Sequence, residues 1–310
     1  MIDVRRLLVC CLAGCSFDHG ALAPDGAPDS LPDAAPTMAT LFVADYQAGQ
    51  LHRIQLARGA EPAITLSLAL PGALSPVYLP ATGELLVGEL ANARIDRFAT
   101  PLATPMFDDA ITGVGLDANI SKMAVVDGEL WVTNPLGANV DRLAFDAAGT
   151  PSMVDAVGVV NGRGLVYVPA TRDVFVTQCC STNVIQHYVF DNHVVATKEP
   201  VSDNGLNNPH GLVMLPWFEL LVANAGDSSI LRFRIDGAGN ATPNGVITGN
   251  GLSVPIDLAL TPWGELYVTN LGTGTLSRFT FDESHTAVAG GTFAIPGAIA
   301  LAWTALVESE

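Results

Sequence analysis

Three observations predict an all-β fold, a six-bladed β-propeller of four-stranded blades. One stretch recurs six times without gaps, short apolar runs separate the copies, and the two ends of the chain complement each other. The copies are LFVADYQAGQLHRI (41–54), LLVGELANARIDRF (85–98), LWVTNPLGANVDRL (130–143), VFVTQCCSTNVIQH (174–187), LLVANAGDSSILRF (220–233) and LYVTNLGTGTLSRF (266–279). Their third residues, Val43, Val87, Val132, Val176, Val222 and Val268, are spaced 44, 45, 44, 46 and 46 residues apart. A nearly constant period of that size means one supersecondary unit per repeat.

Residues 1–14 read as a targeting leader, to be kept out of the fold. Arg5 and Arg6 precede the apolar run Leu7 to Ala13, which ends in Leu12-Ala13-Gly14-Cys15. The LAGC box resembles a bacterial lipoprotein signal, which implies cleavage after Gly14 and a lipid on Cys15. The resemblance also implies attachment to a membrane of the cell envelope, with Ser16 after the cysteine favouring the outer membrane over the inner. The apolar core is only seven residues and Asp3 is unusual in a basic leader. An ordinary cleaved secretory signal is therefore the other reading. No later stretch approaches about 18 consecutive apolar residues, so no transmembrane helix is expected.

Residues 15–38 form a Pro/Asp-rich tether. Pro24, Pro28, Pro32 and Pro36 recur every fourth residue, with Asp25, Asp29 and Asp33 directly after three of them. Fixed φ and like-charge repulsion predict an extended, semi-rigid spacer with nothing to bury. Beyond it only 15% of the whole chain is charged, against roughly 25% in ordinary domains, and there are 30 glycines and 20 prolines. That composition fits buried strands and tight turns. The net charge of −17, with Lys122 and Lys198 the only lysines, repels a phosphate backbone and excludes nucleic acid as a partner.

The propeller is expected over residues 39–305, with 306–310 as a C-terminal tail. In the fifth repeat an apolar run at 211–215 turns at Pro216-Trp217-Phe218 into a second run at 219–224. A Gly-containing turn leads to alternating Ile230–Ile235, then DGAGNATP precedes a fourth strand around Val246. Innermost strands are expected at Pro76–Pro80, Met123–Val126, Leu165–Pro169, Leu212–Pro216, Leu258–Pro262 and Ile299–Trp303. The first repeat lacks such a run before Leu41, and the last run has no strands after it. The C-terminal strand therefore completes the N-terminal blade and hides two edges. Irregular loops are expected at Phe107–Asn119 and Val201–Asn208.

YVTN (267–270), WVTN (131–134) and LVAN (221–224) resemble the YVTN-type and NHL-type bacterial propellers. PHGLVMLP (209–216) resembles the inner-strand opening of NHL, gluconolactonase-type and streptogramin-lyase-type propellers. The similarity covers nearly all of residues 40–304. It implies a fold and a site where the inner strands begin, while activity differs among these families. In gluconolactonase-type enzymes that position supplies calcium ligands. The matching positions here are Leu74, Ile120 or Ser121, Arg163, His210, Ile256 or Asp257, and Gly297, of which only Asp257 is anionic. That ligand set is not found, so no cofactor is firmly implied.

A second ring lies two residues after each marker valine: Asp45, Glu89, Asn134, Gln178, Asn224 and Asn270. An oxygen-rich mouth would suit Ca²⁺, with Asp45 and Glu89 as its anions. Turn capping, which Asp and Asn perform wherever a turn is tight, explains a repeat-wide pattern better. Together with Asp257, the four amides are the candidate ligand-binding residues. Arg163 and His210 are the catalytic candidates: they could hold an anion, or His210 could act as a base. The structural alternative has both bonding backbone carbonyls. Arg recurs ten after the valine (53, 97, 142, 232, 278) and an acid three before it (84, 129, 173, 219, 265), which reads as minor contacts on solvated strands. Adjacent Cys179 and Cys180 form either a strained vicinal disulfide at a ligand-facing turn or a pair of idle thiols.

The function expected from these residues is a tethered, non-catalytic module that binds a small molecule, a glycan or a protein. The alternative is a lactone hydrolase or C–O lyase at the central pocket.

Overall fold

The computed structural model describes residues 36–99, 105–180, 182–202, 205–296, 298 and 301–308. The leader, Cys15 and the spacer through residue 35 lie outside the described residues, as does Gly297.

Six antiparallel sheets of the expected size make the blades, each running from an inner to an outer strand. Blade 2 is Ala73–Leu79, Glu84–Glu89, Arg94–Ala99 and Met106–Thr112; blade 3 is Lys122–Val126, Glu129–Asn134, Asn139–Phe145 and Pro151–Gly158. Blade 4 is Gly162–Val168, Asp173–Gln178, Val184–Asp191 and Val194–Thr197, with Val201–Ser202 also pairing to its third strand. Blade 5 is Pro209–Leu215, Glu219–Asn224, Ser229–Ile235 and Ala241–Ile247; blade 6 is Pro255–Leu260, Leu266–Asn270, Thr275–Phe281 and Ala287–Ala294. Blade 1 takes Met38–Asp45, Gln50–Ala57 and Ala63–Ala69 from the N-terminal side and Leu301–Glu308 as its inner strand. The closure is as the sequence predicts.

The closing strand runs further than expected. Leu306, Val307 and Glu308, assigned by sequence to a tail, pair with Leu41, Thr40 and Ala39. Val307 is buried among blade 1 and blade 2 side chains, which is why the strand continues. Likewise Phe107–Thr112, expected as loop, belongs to the outer strand of blade 2. Asp108 and Asp109 conceal it from pattern reading, and charge on an exposed edge strand is how such edges avoid pairing with other chains.

Six apolar clusters of described residues sit between neighbouring blades, so each blade buries its faces chiefly against its neighbours. Leu86, Ile95 and Ile111 of blade 2 meet Met123, Leu130 and Val132 of blade 3. The ring shuts where Leu41, Ile54 and Leu56 of blade 1 meet Trp263, Tyr267 and Leu276 of blade 6.

The repeating charges are not on solvated faces, which corrects the sequence reading. The acid and the arginine of one blade lie side by side on its second and third strands. Arg97 holds Glu84 at 2.8 Å, Arg142 holds Glu129 at 2.9 Å and Arg232 holds Glu219 at 2.7 Å. In blade 4, His187 and Asp173 take the same places at 2.7 Å. Each guanidinium also reaches the next blade. Arg97 donates to the carbonyl of Gly149 (2.9 Å), Arg142 to His193 (3.0 Å), Arg232 to His285 (2.7 Å) and Arg278 to Ala60 (2.7 Å). Lys198 serves between blades 4 and 5, on the carbonyl of Ala238 at 2.9 Å. These are latches from one blade to the turn before the outer strand of the next.

Candidate functional site

The inner strands of blades 2, 4, 5 and 6 begin three residues before the apolar runs that mark them, and each begins with a register shift. A bulge has no hydrophobic alternation to display, so the sequence hides it. Backbone N–H groups at these starts, and at the unbulged start of the blade 3 inner strand, find side-chain partners. Lys122, Gly164 and Asp257 donate their backbone N–H to Thr133 (2.8 Å), Thr177 (2.7 Å) and Thr269 (3.0 Å). The hydroxyls of Thr133 and Thr177 in turn donate to the carbonyls of Arg163 (2.9 Å) and His210 (2.6 Å) in the following blade. These threonines, missed by sequence reading, each directly follow a marker valine.

Arg163 and His210 thus stand on fixed backbone at the second place of adjacent inner strands. Gly164 and Gly211 follow them, and neither tolerates a side chain. A β-carbon at 164 would collide with the His210 carbonyl, and one at 211 with the Asp257 carboxylate. Arg163 is half-buried and donates from Nε to Cys179 Sγ at 3.3 Å, and burial pulls its pKa down. Among the described residues no carboxylate pairs with it. His210 is pushed down to about 3, first by burial and then by the Arg163 charge. Its imidazole is neutral throughout the physiological range.

Cys179 and Cys180 are joined as a vicinal disulfide, Cα atoms 3.8 Å apart. Cys179 is fully buried beside Arg163, while Cys180 is exposed at φ 74° and lies 3.4 Å from Asn208 Oδ1. The ring therefore braces the approach to His210. The opposite side of the mouth is apolar: Leu74, Ala225 and Ile256 pack together, with Tyr46, Leu90, Val254 and Leu271 around them. Leu74 and Ile256 hold the same strand place as Arg163 and His210, so one ring position gives a greasy side and a cationic side.

One residue further along the inner strands, Lys122 of blade 3 meets Asp257 of blade 6 at 2.6 Å. The two blades are three places apart in a ring of six and face each other across its axis. Asp257 Oδ2 also accepts the backbone N–H (2.8 Å) and the hydroxyl (2.9 Å) of Thr304. Asp257, expected as a ligand-binding residue, is completely buried and already bonded, and it floors the mouth.

The ring of amides and acids is likewise engaged, with its own turns or with the segments that lead into the inner strands. Asp45 accepts from the N–H of Ala48 and Asn134 from Gly137, both at 3.1 Å. Asn224 accepts from Asn207 (2.7 Å) and Asn270 from Ser253 (3.0 Å). Glu89 binds the side chain of Asn92 and lies 3.4 Å from Arg94, and Gln178 is bonded to Thr182 and Gln186. Asp45, Asn134, Asn224 and Asn270 show no exposed surface. They are brought to one end of the ring but not turned into its mouth. Among the described residues no three His, Cys, Asp or Glu side chains converge to hold a metal.

No protein-family model and no curated protein matches the sequence. Solved structures match the fold. A putative 6-phosphogluconolactonase of Bacteroides fragilis superposes with a TM-score of 0.70 at 10% identity, covering 89% of this chain and 99% of that one. The periplasmic gluconolactonase of Pseudomonas aeruginosa gives 0.65 at 14% identity, over 87% and 99%. A chain of a nidogen/laminin complex gives 0.67 at 17%, over 87% and 98%. At such identities the likeness is one of fold: the chain is a six-bladed β-propeller similar in architecture to lactonase-like proteins.

Proposed function

We propose that this propeller is a binding module for a small organic anion, held at the mouth where the inner strands begin. The observation that supports it is Arg163, a half-buried guanidinium with no carboxylate partner among the described residues, opposite an apolar wall. A desolvated cation without a counterion favours an anion that supplies the charge-assisted bonds it lacks. Leu74 and Ile256 would take the ligand's hydrocarbon, and neutral His210 would direct its specificity by a hydrogen bond. Calorimetry with aliphatic and aromatic carboxylates against their matching amides tests this. Carboxylates bind and amides do not, and Arg163→Gln abolishes the difference; equal binding of acid and amide overturns the reading.

Lactone hydrolysis or C–O lysis is the second reading, supported by fold likeness to the Pseudomonas gluconolactonase and by the fact that a hydrolysed lactone is itself a carboxylate. Against it, a base with a pKa of about 3 is weak. Turnover of lactones by the native chain that disappears in His210→Asn would restore it. We further propose that the module is held on the cell envelope by a lipid on Cys15. Mass spectrometry of the mature N-terminus tests this, a lipid-free terminus downstream of residue 15 being the refuting result.

A further inference from the structure

Blade 4 breaks the ring pattern of the mouth at two places that touch. Three residues after the marker valine the other blades carry Tyr46, Leu90, Pro135, Ala225 and Leu271, and blade 4 carries Cys179. The second place of the inner strand is Leu74 in blade 2 and Ile256 in blade 6, and it is Arg163 in blade 4. Leu74 and Ile256 pack with Tyr46, Leu90, Ala225 and Leu271 as the apolar wall. In blade 4 the same two places hold a guanidinium and a sulfur, with Arg163 Nε 3.3 Å from Cys179 Sγ.

The two sulfurs of the Cys179–Cys180 bridge stand in opposite surroundings. Cys180 is exposed, on a turn residue at φ 74°, whereas Cys179 shows no surface. In thiol exchange the sulfur attacked must be within reach, and the sulfur that leaves best is the one whose thiolate is stabilised. Cys180 is within reach. Cys179 is beside a cation, and a neighbouring arginine stabilises a thiolate. A disulfide sulfur is only a weak acceptor for the Arg163 N–H, while a thiolate would make it a charge-assisted bond. Cys180 has the complementary partner, Asn208 Oδ1, 3.4 Å from its Sγ. A disulfide sulfur has no proton to give that oxygen, and a thiol has one. Both neighbours therefore suit the opened bridge better than the closed one.

We propose that Cys179–Cys180 is a site of reversible exchange with small thiols, entered at Cys180, and that its opening closes the anion site at Arg163. An incoming thiolate bonds to Cys180 Sγ as the Cys180–Cys179 bond breaks, and the electron pair leaves on Cys179 Sγ beside Arg163. A second thiolate then bonds to the first at its sulfur. Cys180 departs with that electron pair, takes up one proton and presents its S–H to Asn208. Two thiolates become one disulfide, and the bridge gains the same two electrons. The Cys179 thiolate is then a counterion built into the protein, set against the one cation on which the proposed anion depends. This last consequence rests on the anion reading, whereas the direction of exchange does not.

The test uses the full chain and β-mercaptoethanol, a thiol with no charged group besides its sulfur. After brief exposure and acid quenching, peptide mass spectrometry should place the adduct on Cys180 and not on Cys179. In the reduced chain, freed of thiol under nitrogen, the ultraviolet thiolate band of native minus Cys179→Ala reports Cys179. Its titration midpoint should lie below the ordinary thiol value of about 8.5. Arg163→Gln should raise that midpoint by at least about one pH unit, and Arg163→Lys, which keeps the charge, should hold it down. An adduct on Cys179, a bridge that opens only when the chain unfolds, or a midpoint indifferent to Arg163→Gln overturns the exchange. By calorimetry the reduced chain should bind an aliphatic carboxylate at least about tenfold more weakly than the oxidised chain, the worth of one bond to a charged group. Equal affinity in both states overturns the closing of the site. No affinity in either state overturns the anion reading and with it the closing, while adduct and midpoint still decide the exchange.

Discussion

The ammonium of Lys122 meets the carboxylate of Asp257 at 2.6 Å across the axis of the ring, although 135 residues separate them in the chain. Lys122 also donates to the carbonyl of Thr304 at 3.1 Å. One cluster thereby ties together blade 3, blade 6 and the C-terminal strand that closes blade 1. Removing one partner of a buried pair strands the other charge and costs about 3–5 kcal/mol. Lys122→Met is expected to lower the unfolding free energy by that amount, read as a fall in the urea midpoint at unchanged slope. Lys122→Met with Asp257→Asn should recover a large part of the loss, since no lone charge then remains. A double-mutant cycle by urea unfolding measures this, and additive losses would show that the pair does not couple.

The interblade latches lead to a second contrast. Glu129 would be raised by burial, but Arg142, then His193, outweigh that and hold its pKa below the usual carboxylate value. Arg142 is 2% exposed, and it touches Glu129 within its blade and His193 in the next. Arg142→Ala should cost about 3–5 kcal/mol, as for other broken buried pairs. Arg172 and Asp191 form an ion pair of similar length, 2.7 Å, on the open surface. Arg172→Ala should cost less than about 1 kcal/mol. Denaturant unfolding of the two variants side by side decides whether burial rather than ion pairing makes the latch.

The marker valines made the blades and their closure legible, because a period of two within strands and about 45 between them leaves few alternatives. Arg163 and His210 were legible as polar residues at the mouth, and Cys179 with Cys180 as a pair able to close. What the sequence concealed has a common cause. The bulges at the inner-strand starts of blades 2, 4, 5 and 6 break the alternation and blur which residue stands at each ring place, the place of Asp257 included. Lys122, in plain register at the start of blade 3, carries no apolar mark of its own. The latches looked like surface charge because single-strand spacing says nothing about the neighbouring blade that covers them. Only the threonine after Val132, Val176 and Val268 left a signal that pattern reading had the means to find.

Close approach of inner strands makes a third prediction. A β-carbon on Gly211 would strike the Asp257 carboxylate and, at 2.8 Å, the Ile256 carbonyl, none of which can yield freely. Gly211→Ala should therefore destabilise by about 1–3 kcal/mol, the range for forced overpacking. Gly158, at the end of an outer strand, has nothing within 4 Å of such a carbon and an ordinary φ. Gly158→Ala should be neutral or gain about 0.4–1 kcal/mol through lost unfolded-state freedom. Opposite shifts in melting temperature for the two alanines are the expected outcome.

His210 sets the response to acid. Its pKa is about 3 in the folded chain, depressed by burial and by Arg163, against an ordinary value of 6.5 once unfolded. Below 6.5 the unfolded state takes up a proton that the folded state refuses, so unfolding gains ground as pH falls. The neutral imidazole's contribution is thus complete above pH 6.5 and is lost progressively down to about 3. Stability should decline by up to one proton's slope through that window, beyond what the carboxylates contribute. His210→Gln removes the titrating group while keeping a polar side chain, and its stability profile should be flatter over the same range. Parallel profiles for the native chain and His210→Gln, from urea unfolding at closely spaced pH, would show that His210 titrates normally and that the mouth is wetter than its burial indicates.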